Sequence, residues 1–373
     1  MQRIIDHILA AAADRTPLCV RGHGSKDFYG QTPRGQLLDT RDYRGIVSYE
    51  PSELVVTVRA GTPLVELEQA LAEKGQYLAF EPPHFEASAG SGTCGGMVAA
   101  GLSGPARASV GSVRDYVLGV QMVNGRGESL TFGGQVMKNV AGYDVSRLMV
   151  GALGTLGVLT DISLKVLPLA PAEATLVFQV DQARALAQLQ RWGGQPLPLN
   201  ASCWVRDDTA PGAPELLFVR LRGAAAAVDA ACRSMLADLP GQRMDTAQAA
   251  RDWHACRNLR LPFFQGAPGA GAQPQELWRL SVPAVTPALA VGWPQLIEWH
   301  GAQRWLWAPH SDNPRVRQLA AAVGGSATLW RPTSSDATRF SALEPTLEAI
   351  HRRLKAEFDP AGILNPGRLY PGL

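Results

Sequence analysis

The sequence predicts an α+β protein of two domains, and three observations predict it. Its 373 residues exceed what one simple core of ordinary size holds. Up to about residue 170 the chain is rich in glycine and in short strand-like runs; beyond that it alternates strands with amphipathic helices. The second part reads strand–helix–strand–strand–helix–strand, the pattern of an antiparallel sheet with helices on one face. The chain divides on this reading into 1–170, 171–345 and a tail, 346–373.

Each element follows in order. MQRIIDHILAAAADR is an amphipathic helix, because Asp6 and His7 interrupt the apolar run that a signal peptide needs. TPLCVRG is a short buried strand, and GQLLDT, GIVSYE and LVVTVRA are strands bounded by turn residues. PLVELEQALAEKG predicts a helix with Thr62 as N-cap, Pro63 at its first position and Gly75 at its end. DYVLGVQMVNGRGESLTF predicts a β-hairpin turning on Asn124–Gly125. GVLTDISLKVLPL closes the first domain as a strand. In the second domain TLVFQV, SCWVRD, ELLFVRLR, QELWRLSVP, AQRWLWAP and ATLWRP are strands. DQARALAQLQRW, AAAAVDAACRSMLADL and NPRVRQLAAAVGG are helices. GQRMDTAQAARDWHACRNLRLPFFQGAPGAGAQP reads as an irregular insertion, and the tail as a helix followed by a coil punctuated by proline and glycine.

Composition excludes several classes. Apolar residues make up 46% and charged ones 18%, which describes a globular chain and not a disordered one. The net charge is +2 and no Lys/Arg run stands out, so neither nucleic acid nor an anionic membrane surface is indicated. Residues 87–106 carry no charge, but Gly, Ser and Pro crowd them and make a poor membrane span. Cys19, Cys94, Cys203, Cys232 and Cys256 are scattered without a C-x-x-C pair. That argues against a disulfide framework, a metal site and iron–sulfur ligation by this chain, and for a reducing, cytoplasmic setting.

Two glycine-rich loops carry the chemistry. GSGTCGG places Gly90, Gly92 and Gly95 in the G-x-G-x-x-G spacing of a dinucleotide turn, with Asp115 downstream as an acidic ribose partner. Such a turn must follow a strand, and FEPPHFEASA, with Pro82 and Pro83, has no strand character, which argues against a nicotinamide-binding Rossmann unit and ranks it behind the other readings. Two readings remain. The glycines serve packing alone, or Gly95 and Gly96 allow close approach and MVAA opens a helix whose free N–H groups point at an anion. VRGHGSKDFYG supports the second: Gly22 and Gly24 present successive N–H groups and Ser25 adds a hydroxyl. Two such loops in one domain suggest a diphosphate held from two sides.

The ordered set VRGHGSKDFYG, LVVTVRAGTPLVELEQALAEKGQYLAFEPP, GTCGGMVAAGLSGP, GSVRDYVLGVQMVNGRGE and GTLGVLTDISLKVLP resembles the FAD-binding domain of the vanillyl-alcohol oxidase/p-cresol methylhydroxylase family. The tail FDPAGILNPGRL resembles the glycolate and D-lactate dehydrogenase branch of that family. SVRDYVLGVQMVNGRGE, KNVAGYDVSRLMVGALGTLG and HRRLKAEFDPAGILNPGRLY resemble the FAD-binding E subunits of bacterial glycolate oxidases. The resemblance is strong over the first domain and the tail and weak between them. It implies a PCMH-type FAD-binding domain, a mixed α+β, ferredoxin-like cap domain, and a tail that returns to the flavin.

The resemblance also implies residue roles. Gly22, His23, Gly24 and Ser25 would wrap the FAD pyrophosphate. Pro82, Thr93, Gly95, Gly96 and Gly101 would run past the diphosphate and flavin. Gly157 and Val158 would touch the cofactor by main chain, and Asn365 and Gly367 would reach it from the tail. Some relatives attach the flavin through a histidine in the first loop, but by the family's spacing that position is Ser25, two residues after His23, so the expected FAD is non-covalent. The implied activity is oxidation of a 2-hydroxy acid, glycolate to glyoxylate, beside a sister flavin subunit and an iron–sulfur subunit, in the cytoplasm or peripheral to the inner membrane through those partners. A free-standing D-lactate or other 2-hydroxy-acid dehydrogenase and a non-catalytic scaffold subunit stay open.

Such an oxidation needs a cation for the substrate carboxylate, a base for the hydroxyl proton and a flavin facing the substrate carbon. DWHACRNLRLPFF clusters His254, Arg257 and Arg260. Relatives carry a Trp-plus-Arg pair in a comparable segment, which matches Trp253 with Arg257; His310 and Arg331 rank behind. Arg257 and His254 are thus the catalytic candidates. The histidines are dispersed, unlike the clustered histidines and glutamate of catalytic relatives, so no metal is expected beside the substrate.

Overall fold

The structure, a computed structural model, describes residues 1–85, 92–134, 144–267 and 273–373. The chain forms two units: Met1–Leu102 with Ser112–Leu169 and Ala342–Leu373, and Ser103–Gly111 with Ala170–Ser341.

The first unit begins with helix α1 (Gln2–Asp14), whose Ile4, Ile8 and Ala11 share one buried face. Strands β1 (Leu18–Arg21) and β2 (Gln36–Asp39) pair in parallel. That small layer packs with α1 in one core, where Leu18 and Leu38 meet Val123, Val158, Ile363 and Leu364. The larger sheet contains β3 (Ile46–Glu50), β4 (Val55–Arg59), β6 (Val117–Val123), β7 (Ser129–Gly133) and β8 (Val158–Lys165), in the antiparallel order β3-β4-β8-β6-β7, while β5 (Gln76–Tyr77) pairs with β9 (Leu167–Pro168). β8 is central and buried along nearly all its length, with Thr160, Asp161 and Ser163 buried beside its Val158, Leu159, Ile162 and Leu164.

Two local expectations are corrected. Helix α2 (Leu64–Ala72) takes Pro63, not Thr62, as its N-cap. The Thr62 hydroxyl is engaged elsewhere, accepting from the Gly45 N–H at 2.8 Å. The β6–β7 hairpin turns not on Asn124–Gly125 but over a five-residue loop, with Asn124 N–H donating to Glu128 O at 3.1 Å and Gly127 in the left-handed region at φ 74°. Gly125 N–H instead donates to Phe358 O in the tail, and the Asn124 Oδ1 accepts from Arg126 and Glu128 N–H, which opens the turn.

The second unit is one antiparallel sheet of eight strands: β10 (Ala172–Gln179), β11 (Leu199–Arg206), β12 (Glu215–Gly223), β13 (Gln242–Arg243), β14 (Gln275–Ser281), β15 (Gln295–Glu298), β16 (Gln303–Pro309) and β17 (Ser326–Arg331). Their order is β13-β10-β12-β11-β15-β16-β14-β17. The first four strands form the ferredoxin-like β-α-β-β-α-β unit. Leu186, Leu189 and Trp192 of one crossover helix and Val228 and Met235 of the other pack on Phe178, Leu217 and Val219. The insertion expected to be irregular holds β13 and a twelve-residue helix, Thr246–Arg257, capped by Asp245, whose carboxylate accepts from Gln248 N–H. Its buried stripe is only Ala249, Trp253 and Cys256, too sparse to show as an apolar period. Residues 268–272 of that insertion lie outside the described residues.

Candidate functional site

Glycine brings the two predicted loops of the first unit together. At the end of β1, a Cβ on Gly22 would stand 2.5 Å from Thr93 Oγ1 and 2.8 Å from its Cγ2. A Cβ on Gly92 would stand 2.7 Å from Lys26 Nζ and 3.0 Å from Ser25 Oγ, and one on Gly95 2.7 Å from the Ala60 Cβ. A side chain at Gly22 would push the loop after β1 away from Thr93, the N-cap of helix α3 (Cys94–Ala100). Gly90, the first glycine of the G-x-G-x-x-G spacing, lies outside the described residues; residues 81–85, just before them, contain no strand.

The first turn of α3 supplies none of the donors expected of it. The expectation that α3 opens with free N–H groups is corrected. Cys94 N–H donates to Thr62 O (2.9 Å), Gly95 N–H to Ala60 O (2.7 Å) and Gly96 N–H to the Thr93 hydroxyl (3.1 Å). These bonds fasten α3 to the end of β4 and leave it a wall. The loop after β1 is the opposite case. The N–H groups of Gly22, Gly24, Ser25 and Lys26 have no acceptor among the described residues. The loop's own turns use other groups, Asp27 N–H to Gly24 O and Tyr29 N–H to Lys26 O. Gly24 has φ 73° and packs against the Arg21 guanidinium, which is ion-paired to Asp27 at 2.5 Å. Unpaired main-chain donors in a glycine cradle fit a diphosphate.

Gly22, His23, Gly24 and Ser25 line one cleft with Thr93, Gly95 and Gly96, and Gly157, Val158 and Asn365 close it. Gly157 permits close contact with Met122 and Val123 on β6. Asn365, at φ 41°, ties the tail in: its Oδ1 accepts from Val20 N–H (2.7 Å) and its Nδ2 donates to Leu153 O (2.6 Å). Pro82, Gly101 and Gly367 are not in the cleft lining. Pro82 is buried; Gly101 ends α3 at φ 64°, against Gly151; Gly367, at φ 70°, turns the tail and donates to Leu373 O.

Three contributors went unnoticed in the sequence. Lys26 lines the cleft, and burial pushes its ammonium down to about 8. Arg368 braces the first loop by donating to Lys26 O and Asp27 O at 3.1 Å and to Gln31 O. Lys355, on the tail helix Pro345–Phe358, donates to Asp359 (2.7 Å), Thr155 O (2.8 Å) and Leu364 O (2.7 Å). Lys and Arg next to a glycine-rich loop read as ordinary surface charge in a sequence; only the fold shows that they point inward.

The catalytic candidates lie in the second unit, on the helix Thr246–Arg257. That unit holds a cavity of about 470 Å³ lined by Phe218, Asp252, Trp253, Cys256 and Phe263. Neither His254 nor Arg257 lines it. His254 is exposed, with its Nε2 3.2 Å from Asn258 Nδ2, and Arg257 is half-buried at the helix end. Trp253 Nε1 donates to Thr175 (2.9 Å), and the Arg220 guanidinium lies over its ring at 4.9 Å. Beneath the cavity, Cys256 donates to Glu298, which also accepts from Trp305 and Gln303; its contact with Cys203, and then burial, push the thiol up, and burial pushes the carboxyl up. Among the described residues no group of three or more His, Cys, Asp or Glu is placed to hold a metal, and no helix is long and apolar enough to cross a membrane.

Residues 1–133 match the family described as an FAD binding domain. The glycolate oxidase subunit GlcE of Escherichia coli K12 is 44% identical over 372 residues, which is 100% of this chain and 98% of that one. This chain belongs to the GlcE family of glycolate oxidase subunits. Its first domain is an FAD-binding domain of PCMH type, and the family is one of FAD-dependent 2-hydroxy-acid oxidoreductases. The glycolate oxidase subunit GlcD of Bacillus subtilis is 31% identical over 49% of this chain and 39% of its own length. A D-lactate dehydrogenase of Anaerostipes hadrus is 32% identical over 39% of this chain and 29% of its own length. Among solved structures, an alkyldihydroxyacetonephosphate synthase shares the fold, with a TM-score of 0.67 and 16% identity over 98% of this chain and 75% of its own.

Proposed function

We propose that this chain is the FAD-holding E subunit of a complex that oxidises glycolate to glyoxylate. The observation that supports it is the end-to-end likeness to GlcE, with the open N–H groups of Gly22, Gly24, Ser25 and Lys26 in the cleft of the FAD-binding domain. FAD, when bound, supplies the acceptor for the hydride that leaves the hydroxyl-bearing carbon. The chain's own groups do the holding. Main-chain N–H groups and the Ser25 hydroxyl donate to the diphosphate, and Gly22, Gly92 and Gly95 let backbone and side chains close around it. Asn365 and Arg368 fix the loop from the tail.

Arg257 is the candidate for the substrate carboxylate, since a guanidinium offers two parallel donors to it. His254 receives no proton-transfer role, because it is exposed and turned to Asn258. A sister flavin subunit and an iron–sulfur subunit complete the complex and carry electrons onward, since the five cysteines of this chain are all separate free thiols. The complex works in the cytoplasm, with any membrane contact made through the partners. Co-expression tests this. The three-subunit complex should reduce an artificial acceptor with glycolate in preference to D-lactate, and omission of this chain should abolish that. Full activity without it, or full turnover by this chain alone, would contradict the proposal.

A further inference from the structure

Among the described residues of the cofactor cleft, the charge of Lys26 is left uncompensated. Among the described residues, Arg21, Lys26 and Arg368 are the lysines and arginines that line the cleft. Arg21 is ion-paired to Asp27, and the Arg368 guanidinium is spent on the carbonyls of Gln31, Lys26 and Asp27. Lys26 is different. Its Nζ is close enough to Gly92 that a Cβ there would be 2.7 Å away, beside the Ser25 hydroxyl. No carboxylate among the described residues lies within ion-pair distance of it. The Phe85 ring lies 5.9 Å from it. The ionisable groups facing it are the Cys94 thiol of α3, kept protonated by burial, and beyond that the Glu68–His84 pair. Glu86 lies outside the described residues. A half-buried ammonium without a counter-ion is costly unless an anion arrives.

We propose that the Lys26 ammonium is the counter-ion of the FAD diphosphate, closing over it from the α3 side while the main-chain donors of Gly22, Gly24, Ser25 and Lys26 itself hold it from the loop. The assignment rests on the FAD reading of the cleft. The main chain contributes only neutral dipoles, while the diphosphate brings two negative charges; Lys26 supplies the charge the cradle lacks. Without FAD, burial lowers the ammonium to about 8, so it is charged at neutral pH and partly neutral above that. A bound diphosphate favours the charged form and raises the value again. FAD binding at alkaline pH therefore takes up a proton, and affinity falls as pH rises past about 8, by up to about tenfold per pH unit.

FAD titration of the flavin-stripped full chain, followed by flavin fluorescence from pH 6.5 to 9.5, tests this. Lys26→Met should weaken FAD roughly 10- to 100-fold at pH 7, as expected for a lost charge-assisted bond, and should lose the alkaline fall. Lys26→Arg should keep most of the affinity and hold it flat to the top of the range. Riboflavin, which lacks the diphosphate, should bind wild type and Lys26→Met alike. Thermal unfolding of the FAD-free variants, unchanged from wild type, excludes simple misfolding. Equal FAD affinity and pH dependence in Lys26→Met and wild type would overturn the assignment, as would an equal loss of riboflavin binding. A wild-type chain that binds no FAD at any pH would instead overturn the FAD reading itself.

Discussion

Gly22→Ala puts the central geometry at risk with one methyl group. The new Cβ would stand 2.5 Å from Thr93 Oγ1 and 2.8 Å from Cγ2, well inside contact distance. The loop can retreat, which costs about 1–3 kcal/mol as overpacking does. Alternatively Thr93 can rotate, but its hydroxyl accepts from Gly96 N–H as the N-cap of α3, and losing that costs about 0.5–2 kcal/mol. A retreating loop takes its N–H groups with it. Each bond to a charged phosphate is worth about 1.5–3 kcal/mol, so losing one raises the FAD Kd roughly 10- to 150-fold. Thr93→Ala alone should cost stability but leave Kd within a few-fold. Gly22→Ala combined with Thr93→Ala removes both clashing atoms and should recover affinity relative to Gly22→Ala, a non-additive result. Fluorescence titration and thermal melts of the four proteins measure this. Wild-type Kd in Gly22→Ala, or strict additivity in the double variant, would refute the claim that these segments meet there.

Lys355→Met strips the counter-ion from Asp359, which is 1% exposed, and frees the tail from the Thr155 turn; it should destabilise the first unit by about 3–5 kcal/mol in urea unfolding. In the second unit, burial pushes the His300 imidazole down to about 4 from 6.5. The unfolded chain therefore takes up the proton first as pH falls, and stability is lost between about 6.5 and 4, reaching roughly 2 kcal/mol by pH 5. His300→Asn, which tolerates the left-handed φ of 54° there, should flatten that pH dependence of unfolding. His254→Ala should leave FAD content and glycolate turnover of the complex unchanged, while Arg257→Ala should raise KM for glycolate at least tenfold; an unchanged KM would move the carboxylate site off this helix.

Much of this was legible because local chemistry and fold agree. Gly22, Gly24 and Ser25 announced an anion loop by spacing, and the strand–helix alternation after residue 170 announced the ferredoxin-like sheet. The donor count from α3 was not legible. A glycine-rich helix start looks the same in sequence whether its N–H groups face a ligand or, as here, the carbonyls of Ala60 and Thr62. The helix Thr246–Arg257 was hidden because alanines and polar residues fill most of it. Lys26, Lys355 and Arg368 were passed over because a basic residue shows its burial only through contacts distant in sequence, such as Lys355 with Thr155. The eight-stranded sheet was underestimated by two strands, the two-residue β13 and the four-residue β15, both too short to carry a period.

The most direct test of the account is an absorbance spectrum of the purified chain before and after acid precipitation. The account predicts a flavin band near roughly 450 nm that passes entirely to the supernatant, meaning FAD bound without a covalent link. Flavin retained in the pellet would contradict the non-covalent assignment and turn attention to His23; no flavin, even after incubation with FAD, would contradict the cofactor cleft itself.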